Sequence, residues 1–255
     1  MLMTRVAPAS LIGPADPPPV EWLAGTGPVA LVCEHAGRAV PAALGDLGLG
    51  EGEIARHIGW DIGAAAVTRA LSARLDAPAV LQPYSRLVID CNRPPGASES
   101  VPEVSDATPV PGNRGLSPAA RAAREAEIFA PFQAAVAALI SRGPRIILAI
   151  HSFTPSLAGV HRPWEVGFLH RADRATSAAL AAALRARRRE TVIGMNEPYR
   201  IEDTSDYFVP VHGEGSGIPH ALIEIRNDLI ADSAGVAAWS GLLAAAIGDV
   251  LAARP

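Results

Sequence analysis

The sequence predicts an α/β fold of three layers, with a mixed, mainly parallel sheet between helices. Three observations lead there. Short continuous apolar runs such as Pro28-Val-Ala-Leu-Val-Cys33 and Arg145-Ile-Ile-Leu-Ala-Ile150 read as strands buried on both faces. Alanine-rich segments with helix-start signals alternate with those runs. The 255 residues suit one domain with a core large enough to stand alone, residues 1–255, led by an irregular arm over 1–25.

In chain order, Pro8, Pro14, Pro17, Pro18 and Pro19 make that arm irregular. Pro28–Cys33 is the first strand. Glu51–Leu75 reads as one or two helices, ending before Pro78. Ala79–Gln82 and Leu87–Asp90 read as strands separated by Pro83-Tyr-Ser-Arg86. Arg93–Leu116 is rich in Pro, Gly, Ser and Asn, a long loop expected to line a pocket. Ser117-Pro118 is an N-cap with proline at the first helical position, opening a long helix. Arg145–Ile150 is the plainest buried strand. Asp173 caps a helix that runs to Arg185, Arg187, Arg188 and Arg189, a cluster suited to a solvated C-terminus. Thr191–Gly194 and His220–Arg226 are further strands, and Asp232–Ala253 is a closing helix.

Composition excludes several chemistries. All 22 basic residues are arginine, so there is no Schiff-base lysine, no Walker A lysine and no Ser-x-x-Lys nucleophile pair. Any positive charge in an active site comes from arginine, histidine, a helix N-terminus or a metal. A formal charge of −4 leaves no footprint for nucleic acid. No apolar run is expected to span a membrane, and the N-terminus lacks a signal-peptide pattern, so a cytoplasmic location is expected. The alanine-rich helices could pack against a second copy of the chain as well as on the sheet. The two cysteines, Cys33 and Cys91, follow apolar runs and read as buried thiols whose pKa burial would raise.

In open α/β sheets ligands gather beyond the carboxyl ends of strands. There stand Glu34 and His35 after the first strand, His151 and Ser152 after the central one, and Glu224 and Arg226 in the last strong one. Leu222, Glu224 and Arg226 share one face by alternation, and a carboxylate in so apolar a run needs a partner. His35 and His151 are the first metal-ligand candidates. His57 and Asp61, four apart on a predicted helix, could supply a third ligand and its support. Two imidazoles and a carboxylate leave one zinc position open for water. Ile150-His-Ser-Phe-Thr154 lacks the Gly-x-Ser-x-Gly of a nucleophile elbow, so Ser152 is better suited to bond backbone or orient its neighbour. Arg86 and Arg93 bracket a predicted strand and could grip a carboxylate, with Asp90 as an internal salt-bridge partner.

Taken together these motifs resemble the N-formylglutamate amidohydrolase family, over about Val29 to Leu229. The resemblance rests on Glu34-His-Ala-Gly37, His57-Ile-Gly-Trp-Asp61, Tyr84-Ser-Arg-Leu-Val-Ile-Asp-Cys-Asn-Arg93, Ile150-His-Ser152 and Pro219-His-Ala-Leu-Ile-Glu-Ile-Arg226. Glu34 stands where the family commonly has proline. The resemblance implies a fold like that of the zinc carboxypeptidases, with one Zn²⁺ on His35, Asp61 and His151. His57 remains an alternative to Asp61. It implies Glu224 as general base, with Arg86, Asn92 and Arg93 where substrate is bound. Arg226 is a further candidate grip, and Arg86 a catalytic one, since the electrophile must be a metal or an arginine. His212 and His220 could assist proton transfer, though structural roles suit them better. Trp164 and the Val101–Asn113 loop could close the pocket. The implied substrate is a small N-acyl amino acid, N-formyl-L-glutamate first, as in histidine degradation.

Overall fold

The computed structural model describes residues 10–253. Pro8 and the rest of residues 1–9 lie outside them. A seven-stranded sheet runs through the molecule in the order β1 (Glu21–Leu23), β3 (Ala79–Leu81), β2 (Val29–Cys33), β6 (Ile146–Phe153), β11 (His220–Arg226), β9 (Val166–Leu169), β10 (Ile193–Met195). The central strands β3, β2, β6 and β11 are parallel. At one edge β1 pairs antiparallel with β3, and on the other side β9 runs antiparallel to β11, with β10 parallel to β9. The sheet is therefore mixed and mainly parallel, as expected.

One face packs on α2 (Ala64–Leu75), α5 (Arg174–Arg187) and α6 (Ser233–Ala252), burying Leu31, Leu148 and Ile223 against Leu71, Leu184 and Leu243. The other face buries Val32, Ala149 and Leu222 with Phe132, Val136 and Leu139 of α4 (Ala130–Ile140). This period-two division is what hydrophobic alternation demands of a strand covered on both sides. The helices start where their caps predict. The side chains of Ser117, Asp173 and Asp232 accept from the backbone N–H groups of Ala120, Thr176 and Gly235.

Several expectations are corrected. The arm contributes β1, because Glu21–Leu23 finds an open edge on β3. Residues 51–75 form a short α1 (Glu51–Ile54) and then α2, so His57 and Asp61 lie between helices and share no helical face. Leu87–Asp90 is not a strand. Its carbonyls are taken by side chains: Asn113 Nδ2 donates to Leu87 O at 2.8 Å and Arg124 Nη1 to Val88 O at 2.8 Å. The long helix from α3 (Pro118–Arg124) passes through a π-helical stretch, Glu125–Phe129, before α4. Strand β6 runs on to Phe153, which places His151 and Ser152 inside the sheet. The expected strand at Thr191–Gly194 is shifted to Ile193–Met195, and β9 was not foreseen. Within Arg93–Leu116 a small hairpin forms from β4 (Val104–Ser105) and β5 (Thr108–Pro109). A second hairpin pairs β7 (Ser156–Leu157) with β8 (Val160–His161).

Helix α6 also overturns the expectation that no run is long and apolar enough to cross a membrane. By length and composition it meets that test, with 20 residues and an 18-residue stretch whose mean hydropathy is 1.6. Trp239, Leu243, Ile247 and Val250 are buried in the core, and Asp249 pairs with Arg187.

Candidate metal centre and active cavity

Three neighbouring strands deliver the polar groups. His35 follows β2, His151 lies within β6, and Glu224 stands opposite His151 in the parallel β6–β11 register. Asp61 arrives on the turn that leads into α2. Its backbone N–H donates to His35 O at 3.0 Å, and Ser152 N–H donates to its Oδ2 at 3.1 Å. Gly63, at φ +83°, then turns the chain into α2; a Cβ there would lie 2.4 Å from Ile230 O. Ser152 Oγ donates to Ile62 O at 2.8 Å and steadies the same turn, which is the backbone role expected of it.

His35, Asp61 and His151 are all buried, and one donor atom from each lies within 4.8 Å of the others. Asp61 Oδ2 is 2.9 Å from His151 Nδ1 and 3.4 Å from His35 Nδ1. The far nitrogen of each ring faces another carboxylate. His35 Nε2 is 2.7 Å from Asp90 Oδ1, and His151 Nε2 is 2.9 Å from Glu34 Oε2, the latter off hydrogen-bond angle. Carboxylates behind imidazoles fix tautomer and ring direction in metal sites, leaving the facing nitrogens for the ion. Glu34, Asp61, Asp90 and Glu224 are all buried here, with Arg86 the cation that pairs with two of them. Two imidazoles and a carboxylate with converging donor atoms make a set that fits a divalent metal such as zinc.

Electrostatics follow from this crowding. Burial opposes ionisation of Asp61, but His35 and His151 outweigh it and hold its carboxyl far below the usual range. Burial likewise opposes ionisation of Asp90, and Arg86 and then His35 reverse the effect. His151 would be lowered by burial, yet Glu34 and Asp61 raise it well above an ordinary histidine. Glu224 behaves differently. Burial dominates, Asp61 adds to it, and the opposing pull of His151 and Arg86 is insufficient, so its carboxyl is pushed up to about 8. Burial also raises both thiols, Cys33 and Cys91, which makes them poor nucleophiles.

A cavity of about 530 Å³ opens over this centre. His35, Asp61, Arg86, Asn92, Arg93, His151 and Glu224 all line it, so seven of the eight site residues expected from the sequence come together. Arg226 does not: its guanidinium turns to Asp228 at 2.8 Å and to Pro163 O at 3.5 Å. His57 also lies elsewhere, 3.3 Å from Asp106, so it is no third ligand in this arrangement. His212 bonds Gln133 at 2.7 Å, and His220 faces Ile218 O at 2.8 Å, both away from the cavity lining. Trp164 packs near Gly194, also outside that lining.

The arginines are less free than their positions in the sequence suggest. Arg86 donates to Asp90 at 2.7 Å and to Asp61 at 3.4 Å. Arg93 is held by the carbonyls of Asn92 and Ser205 and by Glu99 at 3.3 Å. Asn92 Oδ1 accepts from the N–H groups of Tyr207 and Phe208, so its amide pins the loop that roofs the cavity.

That roof is not among the sites expected from the sequence: Tyr199, Arg200, Glu202, Ser205 and Asp206 line the cavity too. Gly167 admits it, since a Cβ there would meet Glu197 O at 1.9 Å. Tyr199 Oη accepts from buried Arg162 at 3.0 Å, while Arg200 has no ion partner among the described residues. The density of polar residues in Asn196–Asp206 was the available signal.

Comparison with known proteins agrees with the geometry. The family model for N-formylglutamate amidohydrolase matches residues 27–231. The crystal structure of gene product Atu2144 from Agrobacterium tumefaciens is 37% identical, with a TM-score of 0.90 over 95% of this chain and 98% of that one. An N-formylglutamate amidohydrolase from Ralstonia eutropha JMP134 has the same fold at 16% identity, with a TM-score of 0.70 over 91% of this chain and 96% of its own. No curated protein matches the chain. With most of its length matched and the strand-end constellation in place, the chain belongs to the N-formylglutamate amidohydrolase family and is a hydrolase acting on an amide bond.

Proposed function

We propose that the protein is a metal-dependent amidohydrolase that frees a small acidic amino acid from its N-acyl amide, with N-formyl-L-glutamate as the first substrate to test. The observation that carries this reading is the convergence of His35, Asp61 and His151 beside Glu224, which faces the same cavity. Zinc on the three ligands would supply a Lewis acid for the acyl oxygen and lower the pKa of water beside it.

This chain's residues do the rest. Glu224, facing the cavity level with His151, takes a proton from the attacking water and passes it to the nitrogen of the departing amine. Arg86, fixed by Asp90 and Asp61, keeps a positive charge on the cavity wall where negative charge develops on the acyl oxygen. Arg93 and Arg200 offer cationic groups to the carboxylates of an acidic amino acid, Arg200 being the one without an ion partner.

The test is formate and glutamate release from N-formyl-L-glutamate by zinc-loaded protein, with N-formylaspartate and N-acetylglutamate alongside. Cleavage that depends on added metal supports the reading. A protein that binds the acidic compounds but cleaves none of them is a carboxylate-binding domain instead.

A further inference from the structure

A second cavity, of about 410 Å³, adjoins the first. Arg86, Arg93 and Glu99 line both, so the two spaces meet along one polar wall. Beyond that wall the apolar Ile58, Leu87, Pro102, Val104, Leu157 and Ala158 share the lining of the second chamber with His57, Asp90, Ser105 and Asp106. Ile58 and Leu87 are buried and form its floor, while Val104 on the β4–β5 hairpin is 56% exposed although apolar. Leu157 comes from the facing β7–β8 hairpin.

The charged groups here are already matched. Asp90 holds His35 and Arg86, Glu99 meets Arg93, and Asp106 lies 3.3 Å from both Arg56 and His57. No lone charge is offered to an ionic ligand, in contrast to Arg200 in the first cavity. An apolar group would bury Val104 and Leu157 without stripping water from an unpaired ion.

The geometry points to this chamber as the site for the acyl group of the substrate, and hence to N-acyl amino acids whose acyl group is an apolar chain longer than formyl. This rests on the amidohydrolase reading of the adjoining centre. The amino-acid part occupies the first cavity beside Arg93 and Arg200. The acyl chain crosses Arg86 into the second. In the reaction the amide C–N bond breaks, the water oxygen bonds to the acyl carbon, and a water proton goes to the leaving nitrogen. The products are an apolar carboxylic acid and a free amino acid.

The experiment compares N-formyl-, N-acetyl-, N-butyryl- and N-hexanoyl-L-glutamate on the zinc-loaded full chain, measuring both glutamate release and calorimetric affinity. The proposal expects kcat/KM and affinity to rise about two- to fourfold for each added methylene. In Leu157→Asp, and separately in Val104→Asp on the other hairpin, that slope should flatten. Flat or falling values along the series, with N-formylglutamate still cleaved, overturn the acyl chamber and leave the amidohydrolase reading standing. Affinity that rises with chain length and flattens in the variants, without any cleavage, keeps the chamber and removes that reading. A slope that both variants leave intact places the chain elsewhere and overturns the proposal.

Discussion

Glu224 stands level with His151 on adjacent parallel strands, and the two side chains share one cavity. In the proposed reaction the pairing sets the proton acceptor beside a metal ligand, both buried in the centre of the sheet. It also separates two functions that mutagenesis can resolve. Glu224→Gln keeps the shape and removes the base. Turnover should fall about 10²- to 10⁴-fold, while zinc content measured on the same preparation stays that of the parent protein.

Behind the proposed ligands, Asp90 and Glu34 face the far nitrogens of His35 and His151. Asp90→Asn and Glu34→Gln should each weaken zinc binding about 10- to 100-fold, as loss of such support does elsewhere. Competition against a chromophoric chelator reads this directly and needs no substrate.

The elevated Glu224 carboxyl has a consequence for the metal-free protein. Its folded pKa of about 8 exceeds its ordinary value, so between the two the folded state holds a proton that the unfolded state has lost. This group therefore makes stability fall as pH rises from about 4.5 through 8. Glu224→Gln should flatten that decline and raise Tm at pH 8 relative to the parent, which thermal unfolding in chelator buffer would show. An unchanged slope would mean that the carboxyl ionises freely in the fold.

Arg200 and Arg226 make opposite predictions. Arg200→Ala should raise KM for an acidic substrate about fivefold, the modest effect of a half-solvated ion pair. Arg226→Ala should leave KM near that of the parent, because its guanidinium is spent on Asp228 and Pro163 O. Steady-state kinetics on both variants would reveal an inversion of roles.

Much of this arrangement was legible in the sequence, for definite reasons. His35, His151 and Glu224 come from runs so apolar that a polar residue there demands an explanation, and alternation alone put Glu224 on one face with Leu222. The loop from Arg93 lines both cavities as its composition suggested. Other features are set by tertiary contacts that no local pattern encodes. Leu87–Asp90 has strand composition, but Asn113 and Arg124 take its carbonyls. Arg226 shares a strand face with Glu224, yet Asp228 two residues on draws it aside. The roof carrying Tyr199 and Arg200 depends on Gly167 admitting Glu197, a contact between distant segments.

In the proposed function His35, Asp61 and His151 hold a metal on which amide hydrolysis depends. Its most direct test measures metal content and product release together, as zinc is titrated into chelator-treated protein with N-formyl-L-glutamate present. Release should rise with zinc and saturate at one equivalent, and His151→Ala should abolish both binding and release. Full activity at zero metal, or saturation at one equivalent in the His151→Ala protein, would contradict it.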